Sequence, residues 1–576
     1  MSTGRQTNGD TLIRQFVGRR AALDAYFQCR VYRHMKNGVY YHAGGGVGKT
    51  WLLRLIAAEN GYPDDAIIDF FNTSNQNIRG IQRSIRERLD DPEAALFAPY
   101  DSALDAVQRA RTEHNTDSGL IAMLERRASR VFIDCCQNAV QGHDVTLLFD
   151  TFERVQQREV GRWLMVEFLP EVRDAIVVIA GRPPVPDRLM PTNVRILPLT
   201  GWERDETHLH VKRAFAPEYL SEITIDNIHN VTRGTPLLVN LVCELGDRAS
   251  ITALVDNPEA HDFAWLRCQL ARHFTIPTDE NRAIWAMAFL RRRFTLDILR
   301  RIVERADLFS IQLDYATLLD TLTDRHFVKE YPDAQSHLLH DEMQALIEEC
   351  LLDGVDPDYT LRGDLFNAIV TDYYNEQIAA VVAADDSLEW QLRAEQIGYI
   401  FERAAETEQL QQVLSHYLDY RRHITDAHIY DFEELLWGEI SHSLSDLDDG
   451  GYSVYFERGE WLHQNNLYAK AAHHFREMLR LFPRQPINTY KWLGYAYLRE
   501  GRLDLAAQTF QEGLDLVKTQ NDIRETGEFH NLLAQVSFQE GQWERAFTNY
   551  HHAANAFMQG GDQSGVASVY LNRGFM

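Results

Sequence analysis

Hydrophobic residues follow two different spacings along this chain of 576 residues. Between residues 11 and 200, short apolar runs rich in β-branched and aromatic residues alternate with longer helical stretches. That alternation is typical of a parallel sheet whose strands are covered by helices on both faces. Five runs are predicted strands: VYYHA (39–43), AIIDFF (66–71), VTLLFD (145–150), AIVVIA (175–180) and VRILPL (194–199).

After residue 200 the apolar spacing becomes helical, and it predicts a multidomain α/β + α protein. An α/β domain over 11–202 is followed by a helical domain over 203–275. A third domain, 276–352, combines short helices with a hairpin, HFVKEYPDAQSHLLH, that turns at Pro332–Asp333. Residues 353–450 are predicted to be a helical linker or the start of a solenoid, and the polar residues 1–10 to be disordered.

The segment 451–576 contains a repeat. Turn residues Asn466, Gly501 and Gly541 are 35 and 40 positions apart. Each is followed after five positions by an alanine and four positions later by an aromatic residue: Ala471 and Phe475, Ala506 and Phe510, Ala546 and Tyr550. This spacing is typical of tetratricopeptide (TPR) helix pairs, in which the small residue permits close helix packing. A further repeat begins near residue 567 and is predicted to be incomplete at Met576; another class of helical repeat is the alternative.

The sequence AGGGVGKT, Ala43–Thr50, lies between a predicted strand and a predicted helix, which is the setting of a P-loop. Consecutive glycines let backbone N–H groups converge on phosphate, helped by the positive end of the next helix. Lys49 is expected to reach the β- and γ-phosphates, and the Thr50 hydroxyl to bind Mg²⁺. Ala43 stands where the motif usually has its first glycine.

Two further strands end in residues suited to phosphate chemistry. Asp150 closes the strand VTLLFD, and Glu153 follows it, as in a Walker B arrangement. Asp150 is predicted to hold Mg²⁺ and Glu153 to polarise the attacking water. Arg182 follows the strand AIVVIA, where its guanidinium could meet the γ-phosphate. A helix-capping aspartate and an ordinary surface arginine are the structural alternatives.

Together these motifs resemble the STAND class of P-loop ATPases, which includes the NB-ARC and NACHT signalling switches. The resemblance covers residues 14–350 and implies a P-loop NTPase domain, a helical domain and a winged-helix domain at 276–352, with the TPR repeats as a C-terminal α-solenoid. FVGRRAAL (16–23) resembles a segment that contacts adenine, although Arg20 replaces the usual glutamate. Arg182 falls at the sensor 1 position. RGTPLLVNLV (233–242) resembles the GxP motif and LLHDEM (338–343) the MHD motif.

The resemblance also implies roles for particular residues. Pro236 would pack on adenine, and His340 would touch the β-phosphate of ADP and hold a closed, inactive form. The predicted catalytic residues are Lys49, Asp150, Glu153 and Arg182, and the predicted magnesium ligands are Thr50 and Asp150. The predicted nucleotide-binding residues are Val17, Gly18, Arg19, Gly44, Gly45, Gly46, Val47, Gly48, Lys49, Thr50, Trp51, Pro236 and His340.

The net charge limits the classes of binding partner, and the cysteine content bears on the cellular location. With 58 basic and 84 acidic residues the formal charge is 58 − 84 = −26, so nucleic acid and anionic membranes are not expected as partners. No apolar run is long enough to span a bilayer. The spacing of the six cysteines fits neither a zinc site nor a disulfide framework, which favours reduced thiols and a cytoplasmic location.

We therefore expect a signalling switch that binds ATP or ADP with Mg²⁺ and hydrolyses ATP slowly. Its TPR face would bind a protein or peptide trigger, its active form would be a homo-oligomer, and an effector protein would act in trans. A transcription regulator of the same architecture and a nucleotide-bound interaction scaffold are the alternatives. A metabolic kinase has less support, because no acceptor site is visible.

Overall fold

The computed structural model describes most of the chain, and it separates into two compact units. One unit comprises Met1–Asp101 with Arg130–Glu439, and the other Ser102–Ser129 with Ile440–Met576. The described residues are 17–33, 35–63, 66–89, 95–112, 118–156, 158–185, 189–216, 218–257, 262–272, 278–290, 294–305, 314–324, 328–331, 336–350, 364–381, 392–393, 395–399, 417, 437, 441, 448–465, 467–484 and 486–574. The expected disorder of 1–10, most of the predicted helical linker, the hairpin turn at Pro332–Asp333 and Asn466 lie outside these residues.

The first unit contains a five-stranded parallel sheet, which confirms the predicted strands to within a few residues. Its strands are β1 Gly38–His42, β2 Ile67–Asp69, β3 Thr146–Asp150, β4 Ile176–Gly181 and β5 Val194–Pro198. Their spatial order is β2-β3-β4-β1-β5. Every residue of β3 and β4 is buried, as expected for central strands covered on both faces. Because β4 lies between β1 and β3, the segments that follow these three strands emerge side by side at one edge.

Helices connect the strands, and the residues Ser102–Ser129 of the fourth and fifth helices belong to the second unit. Through the α/β region the helices are α1 Arg20–Val31, α2 Lys49–Glu59, α3 Ile78–Leu89, α4 Ala98–Thr112, α5 Ser118–Val140 and α6 Glu159–Arg162, which continues as a π-helix over Trp163–Phe168. A core of apolar residues from α1, α2 and the strands, including Tyr26, Leu53 and Val178, lies on one face of the sheet. The carboxyl ends of the strands remain open to loops, where ligands of parallel sheets bind.

A helical region follows the sheet, as predicted. Its helices are α7 Arg204–Ala214, α8 Glu222–Thr232, α9 Pro236–Glu244, α10 Arg248–Val255, α11 Phe263–Arg272, α12 Asp279–Leu290, α13 Leu296–Arg305 and α14 Tyr315–Asp324. The antiparallel strands β6 Val328–Tyr331 and β7 Ser336–Leu339 form the predicted hairpin, and α15 Asp341–Cys350 and α16 Asp364–Val381 complete the region. Three helices before a hairpin are compatible with a winged helix, but that classification stays a prediction.

The described part of the second unit includes a series of consecutive helices at the predicted repeats. They are α17 Asp448–Gln464, α18 Tyr468–Leu481, α19 Pro486–Arg499, α20 Leu503–Thr519, α21 Ile523–Gln539, α22 Trp543–Gln559 and α23 Gln563–Gly574. The alanines and aromatic residues of the repeat pattern are buried. Gly501 and Gly541 have positive φ angles of 79° and 74°, which explains glycine at these turns. Assignment of the helices to the TPR class stays a prediction.

The expectation of six reduced cysteines is wrong for one pair. Cys268 on α11 and Cys350 on α15 are joined by a disulfide, with their Cα atoms 5.1 Å apart. The two positions are 82 residues apart in sequence, so spacing gave no sign of the pairing, and only the packing of α11 against α15 brings them together. Cys29, Cys135, Cys136 and Cys243 are free thiols.

Within the described ranges, we find no helix with the length and apolar content that crossing a membrane requires.

Candidate nucleotide-binding site

The glycine-rich loop joins the end of β1 to the start of α2. Gly46 and Gly48 have φ angles of 70° and 95°, which side chains with a Cβ rarely adopt. Gly48 is the N-cap of α2, and no side chain caps this helix. The first N–H groups of α2 therefore have no side-chain acceptor from an N-cap residue. This arrangement fits an anion bound at the loop.

The two polar side chains that begin α2 point to different partners. The Lys49 ammonium donates to the carbonyl oxygens of Ala43 and Gly44, at 2.9 and 2.8 Å. The Thr50 hydroxyl donates to Oδ2 of Asp150 at 2.6 Å. A hydroxyl in the first turn of α2 and a carboxylate at the end of β3, this close together, form the kind of oxygen pair through which Mg²⁺ is bound. The donor set of this site fits the predicted metal.

Charges around Asp150 come from three segments of the chain. Burial raises the pKa of Asp150, and the neighbouring Asp69 raises it further, whereas Lys329, Lys49 and the Thr50 hydrogen bond oppose the shift. Asp69 ends β2 and is paired in register with Asp150 across the two strands. Lys329 lies on β6 of the hairpin. A cation from the hairpin therefore lies within electrostatic reach of the acidic end of the sheet.

Glu153 and Arg182, predicted from separate strands, contact each other. The Arg182 backbone N–H donates to Oε2 of Glu153 at 3.1 Å, and Arg182 Nε lies 3.2 Å from Oε1. Burial raises the pKa of Glu153, while Lys49 and Arg182 oppose the shift. A Cβ placed on Gly45 would lie 3.6 Å from an Arg182 terminal nitrogen. The carboxylate and guanidinium therefore lie together beside the loop.

The segment before α1 is also attached to the loop. The Arg19 guanidinium donates to the carbonyl oxygens of Val47 and Thr200, so it ties the loop to the segment after β5. The Arg19 backbone N–H donates to Oε1 of Glu206 at 3.1 Å. Val17 is buried, and Gly18 has a φ of 79°. The predicted adenine segment thus lies at the loop, with the Arg19 side chain engaged by backbone carbonyls.

The GxP segment reaches the loop through the residue after Pro236. Pro236 is the first residue of α9, where its missing N–H costs no helical hydrogen bond. The Leu237 backbone N–H donates to the Gly46 carbonyl at 3.3 Å. Gly234 has a φ of 62°, and its backbone lies close to that of Trp202. The Trp202 backbone N–H donates to the Gly234 carbonyl at 2.6 Å.

The segment containing His340 lies against the loop glycines. His340 ends the hairpin, and its Nδ1 accepts a hydrogen bond from the Glu342 N–H at 3.3 Å, which caps α15. A Cβ placed on Gly45 would lie 2.6 Å from Oε2 of Glu342, and one on Gly46 would lie 3.3 Å from its Cγ. Arg267 on α11 pairs with Oε1 of Glu342 at 3.1 Å. The acidic residue that touches the loop is therefore two positions beyond the predicted histidine.

Sequence reasoning missed Asp69, Arg267, Lys329 and Glu342. Asp69 lies inside the predicted strand 66–71 and ends only the observed strand β2, so the end-of-strand argument that identified Asp150 did not identify it. Glu342 lies within the LLHDEM segment, but no pattern in that segment indicates that its side chain meets the loop. Arg267 and Lys329 have no sequence signal, because only tertiary packing places them near the site. The predicted residue Trp51 lies in the first turn of α2, is half-buried, and has the Arg54 guanidinium 5.2 Å from its ring centroid.

Comparison with known proteins gives little at the level of sequence. No family model matches the chain, and no curated protein matches it. Its structure is similar to the crystal structure of a Signal Transduction ATPase with Numerous Domains (STAND) protein with a tetratricopeptide repeat sensor from Pyrococcus horikoshii. The match covers 96% of this chain and 85% of that chain, at 14% identity and a TM-score of 0.39. At that identity and TM-score it assigns no activity, ligand or residue role to this chain.

Proposed function

We propose that this chain binds ATP and ADP with Mg²⁺ at the Ala43–Thr50 loop and acts as a nucleotide-dependent signalling switch. The observation that carries the proposal is convergence on this loop. Segments around Arg19, Asp150, Arg182, Leu237 and Glu342 are far apart in sequence, and each has a contact with the Ala43–Thr50 loop, that of Asp150 being with Thr50 itself. A phosphate site can influence several parts of a protein only if those parts contact it, and these contacts provide that link.

Each predicted residue has a role consistent with its position. The loop N–H groups and Lys49 would bind phosphates, and Thr50 and Asp150 would hold Mg²⁺. Bound Mg²⁺ supplies charge neutralisation at the phosphates. Glu153, held by Arg182, would accept a proton from water, and Arg182 would stabilise phosphate charge. Val17–Arg19, Pro236 and His340 would face the rest of the nucleotide, as the STAND resemblance implies.

The switch follows from the contacts made by α9 and α15. A ligand shifts a conformational equilibrium only through a difference in its interaction with the two states. Leu237 and Glu342 touch the loop from helices outside the sheet, so a change in phosphate charge at the loop changes their interaction energy. Slow hydrolysis would then return the protein to its diphosphate form.

The helical repeats supply a surface for regulation in this proposal. A protein or peptide trigger would bind the repeat face, which is the usual use of stacked helix pairs. An effector protein would act in trans, and the triphosphate form would assemble as a homo-oligomer. The net charge of −26 favours a basic trigger over an acidic one.

Titration calorimetry of the full chain with ADP and ATP, each with and without Mg²⁺, tests the site. Lys49→Ala should weaken binding of both nucleotides by about a hundredfold or more, because it removes the cation proposed to bind the phosphates. Lys36→Ala, an exposed lysine before β1, is the matched control and should bind as the unmodified protein does. Tight binding that survives Lys49→Ala would refute the assignment of the loop.

A further inference from the structure

The Glu342 carboxylate lies against the glycine-rich loop Ala43–Thr50, whose backbone N–H groups are suited to binding an anion. Gly45 and Gly46 are central residues of the loop, and both face the Glu342 side chain. The carboxylate oxygen Oε2 is 2.6 Å from where a Gly45 Cβ would be, and the Leu237 Cβ on α9 is 3.2 Å from where a Gly46 Cβ would be. An acidic group is therefore located beside a site whose N–H donors and helix N-terminus favour negative charge.

Glu342 is held in this position from two directions. Its N–H donates to Nδ1 of His340, so the first turn of α15 is fixed where the hairpin ends. Its carboxylate pairs with Arg267, which also pairs with Glu349, about two turns further along the same face of α15, at 2.7 Å. The adjacent Cys268 is bonded to Cys350 at the other end of α15. The carboxylate therefore projects from a braced helix, with 19% of its side chain exposed.

The charge of Glu342 opposes that of any phosphate at the loop. The repulsion between like charges grows with the product of the charges, and it is less screened in a partly buried site than in water. A nucleoside triphosphate carries more negative charge than a diphosphate, so the same carboxylate penalises it more. Arg267 is shared between Glu342 and Glu349, so these three side chains together keep a net negative charge. The Arg182 guanidinium, also close to Gly45, is paired with Glu153, so neither arginine cancels this difference.

We propose that Glu342 is a specificity-determining residue that makes the observed arrangement of α15 on the loop selective for a nucleoside diphosphate over a triphosphate. This inference rests on the proposed function, because it requires nucleotide at the loop. Triphosphate binding is then accompanied by displacement of Glu342 and of the first turn of α15. Coupling between the nucleotide and the helical region passes through this contact.

The test measures the affinities of the full chain for ADP and for the non-hydrolysable β,γ-imido analogue of ATP, both with Mg²⁺. In Glu342→Gln the shape of the side chain is kept and its charge is lost. The analogue should bind about tenfold more tightly than to the unmodified protein and ADP at most about threefold more tightly, because the lost repulsion scales with ligand charge. Glu349→Gln is the matched control, since it breaks the other ion pair of Arg267 and leaves the loop contact intact.

The outcomes separate the two proposals. A shift in the ratio of the two affinities in Glu342→Gln, absent in Glu349→Gln, supports the role of Glu342. An unchanged ratio, or an equal shift in both variants, overturns it while leaving nucleotide binding in place. Failure of every protein, including the unmodified chain, to bind either nucleotide would refute the proposed function itself, and the inference with it.

Discussion

Glu153 combines the burial and the hydrogen bonding that a proton acceptor needs. Its two carboxylate oxygens face the backbone and side chain of Arg182, and these contacts fix its orientation. Burial raises its pKa, which makes the carboxylate a better proton acceptor than an exposed glutamate. Glu153 is therefore better suited to polarising water than Asp150, whose carboxylate already accepts hydrogen bonds from the Thr50 hydroxyl and the Thr151 N–H.

We expect Glu153→Gln to bind ATP nearly as the unmodified protein does and to hydrolyse it about a hundredfold more slowly or worse. The amide keeps an oxygen for the Arg182 N–H but cannot accept a proton from water. Release of phosphate in single turnovers, measured beside the dissociation constant for ATP, separates the two effects. Glu167→Gln, an exposed residue of the π-helix, is the control and should leave both unchanged. Unchanged turnover in Glu153→Gln would place the catalytic carboxylate elsewhere.

The sequence predicted those residues of this site that lie within a single strand–loop–helix segment or at the end of an apolar strand. The loop, Thr50 and Lys49 follow from a strand, a run of glycines and a helix in order, and Asp150 and Glu153 from the end of an apolar strand. Glu342 could not be predicted in the same way. Its role depends on α15 packing against a loop almost three hundred positions earlier, and side-chain spacing within LLHDEM carries no information on that packing.

At the scale of the helix, the repeats show why glycine alternates with aromatic residues. A Cβ on Gly459 would overlap the ring of Phe475, and one on Gly494 would overlap the ring of Phe510. Both phenylalanines are fully buried, so neither ring has room to move aside. The glycines are therefore required by close packing of neighbouring helices, and this explains why they persist within helices despite their low helix propensity.

Gly494→Ala should lower the free energy of unfolding of the second unit by about 1–2 kcal/mol, because overpacking costs more than the gain in helix propensity. Gly574→Ala is the matched control, since no atom lies within 4 Å of the added methyl group. It should leave stability unchanged or raise it slightly. Urea unfolding of both variants, followed by helical circular dichroism, measures the difference. Equal stability of the two variants would show that the repeat packs more loosely than this contact indicates.

Strands were more predictable in position than in length. Central strands β3 and β4 match their apolar runs because burial on both faces demands uninterrupted apolar residues. The predicted run at 66–71 forms a strand only over Ile67–Asp69. The Asp69 carboxylate accepts a hydrogen bond from the Phe71 N–H at 2.8 Å, which turns the chain away from the sheet. The Asp69 side chain thus takes a backbone N–H that could have extended the sheet. Strand β2 therefore ends at Asp69, although the apolar run continues to residue 71.

For the whole molecule, the order of strands in the sheet determines which motifs meet. Sequence order places β1 far from β3, yet β4 alone lies between them. The apolar pattern predicted a parallel sheet but contained no information on this order, and the convergence at the loop depends on it. The same limit applies to the disulfide, whose cysteines meet only because α11 and α15 are neighbours.

The Cys268–Cys350 bond should stabilise the first unit through the unfolded state. It closes a segment of 82 residues that includes α12–α14 and the hairpin. A bond across such a segment removes about 4.5 kcal/mol of chain entropy from the unfolded ensemble, on the loop-closure estimate. Reduction should therefore increase hydrogen exchange in α11 and α15 and leave exchange in α19, in the other unit, unchanged.

Hydrogen exchange with mass spectrometry, with and without a phosphine reductant, measures this effect. A variant with both Cys268→Ser and Cys350→Ser should exchange like the reduced protein and no longer respond to reductant. Cys243→Ser removes a thiol that forms no disulfide, so it should respond as the unmodified protein does. Exchange in α15 that does not change on reduction would mean that the Arg267 ion pairs and apolar packing alone hold this helix. The position of Glu342 on the loop would then be independent of the redox state.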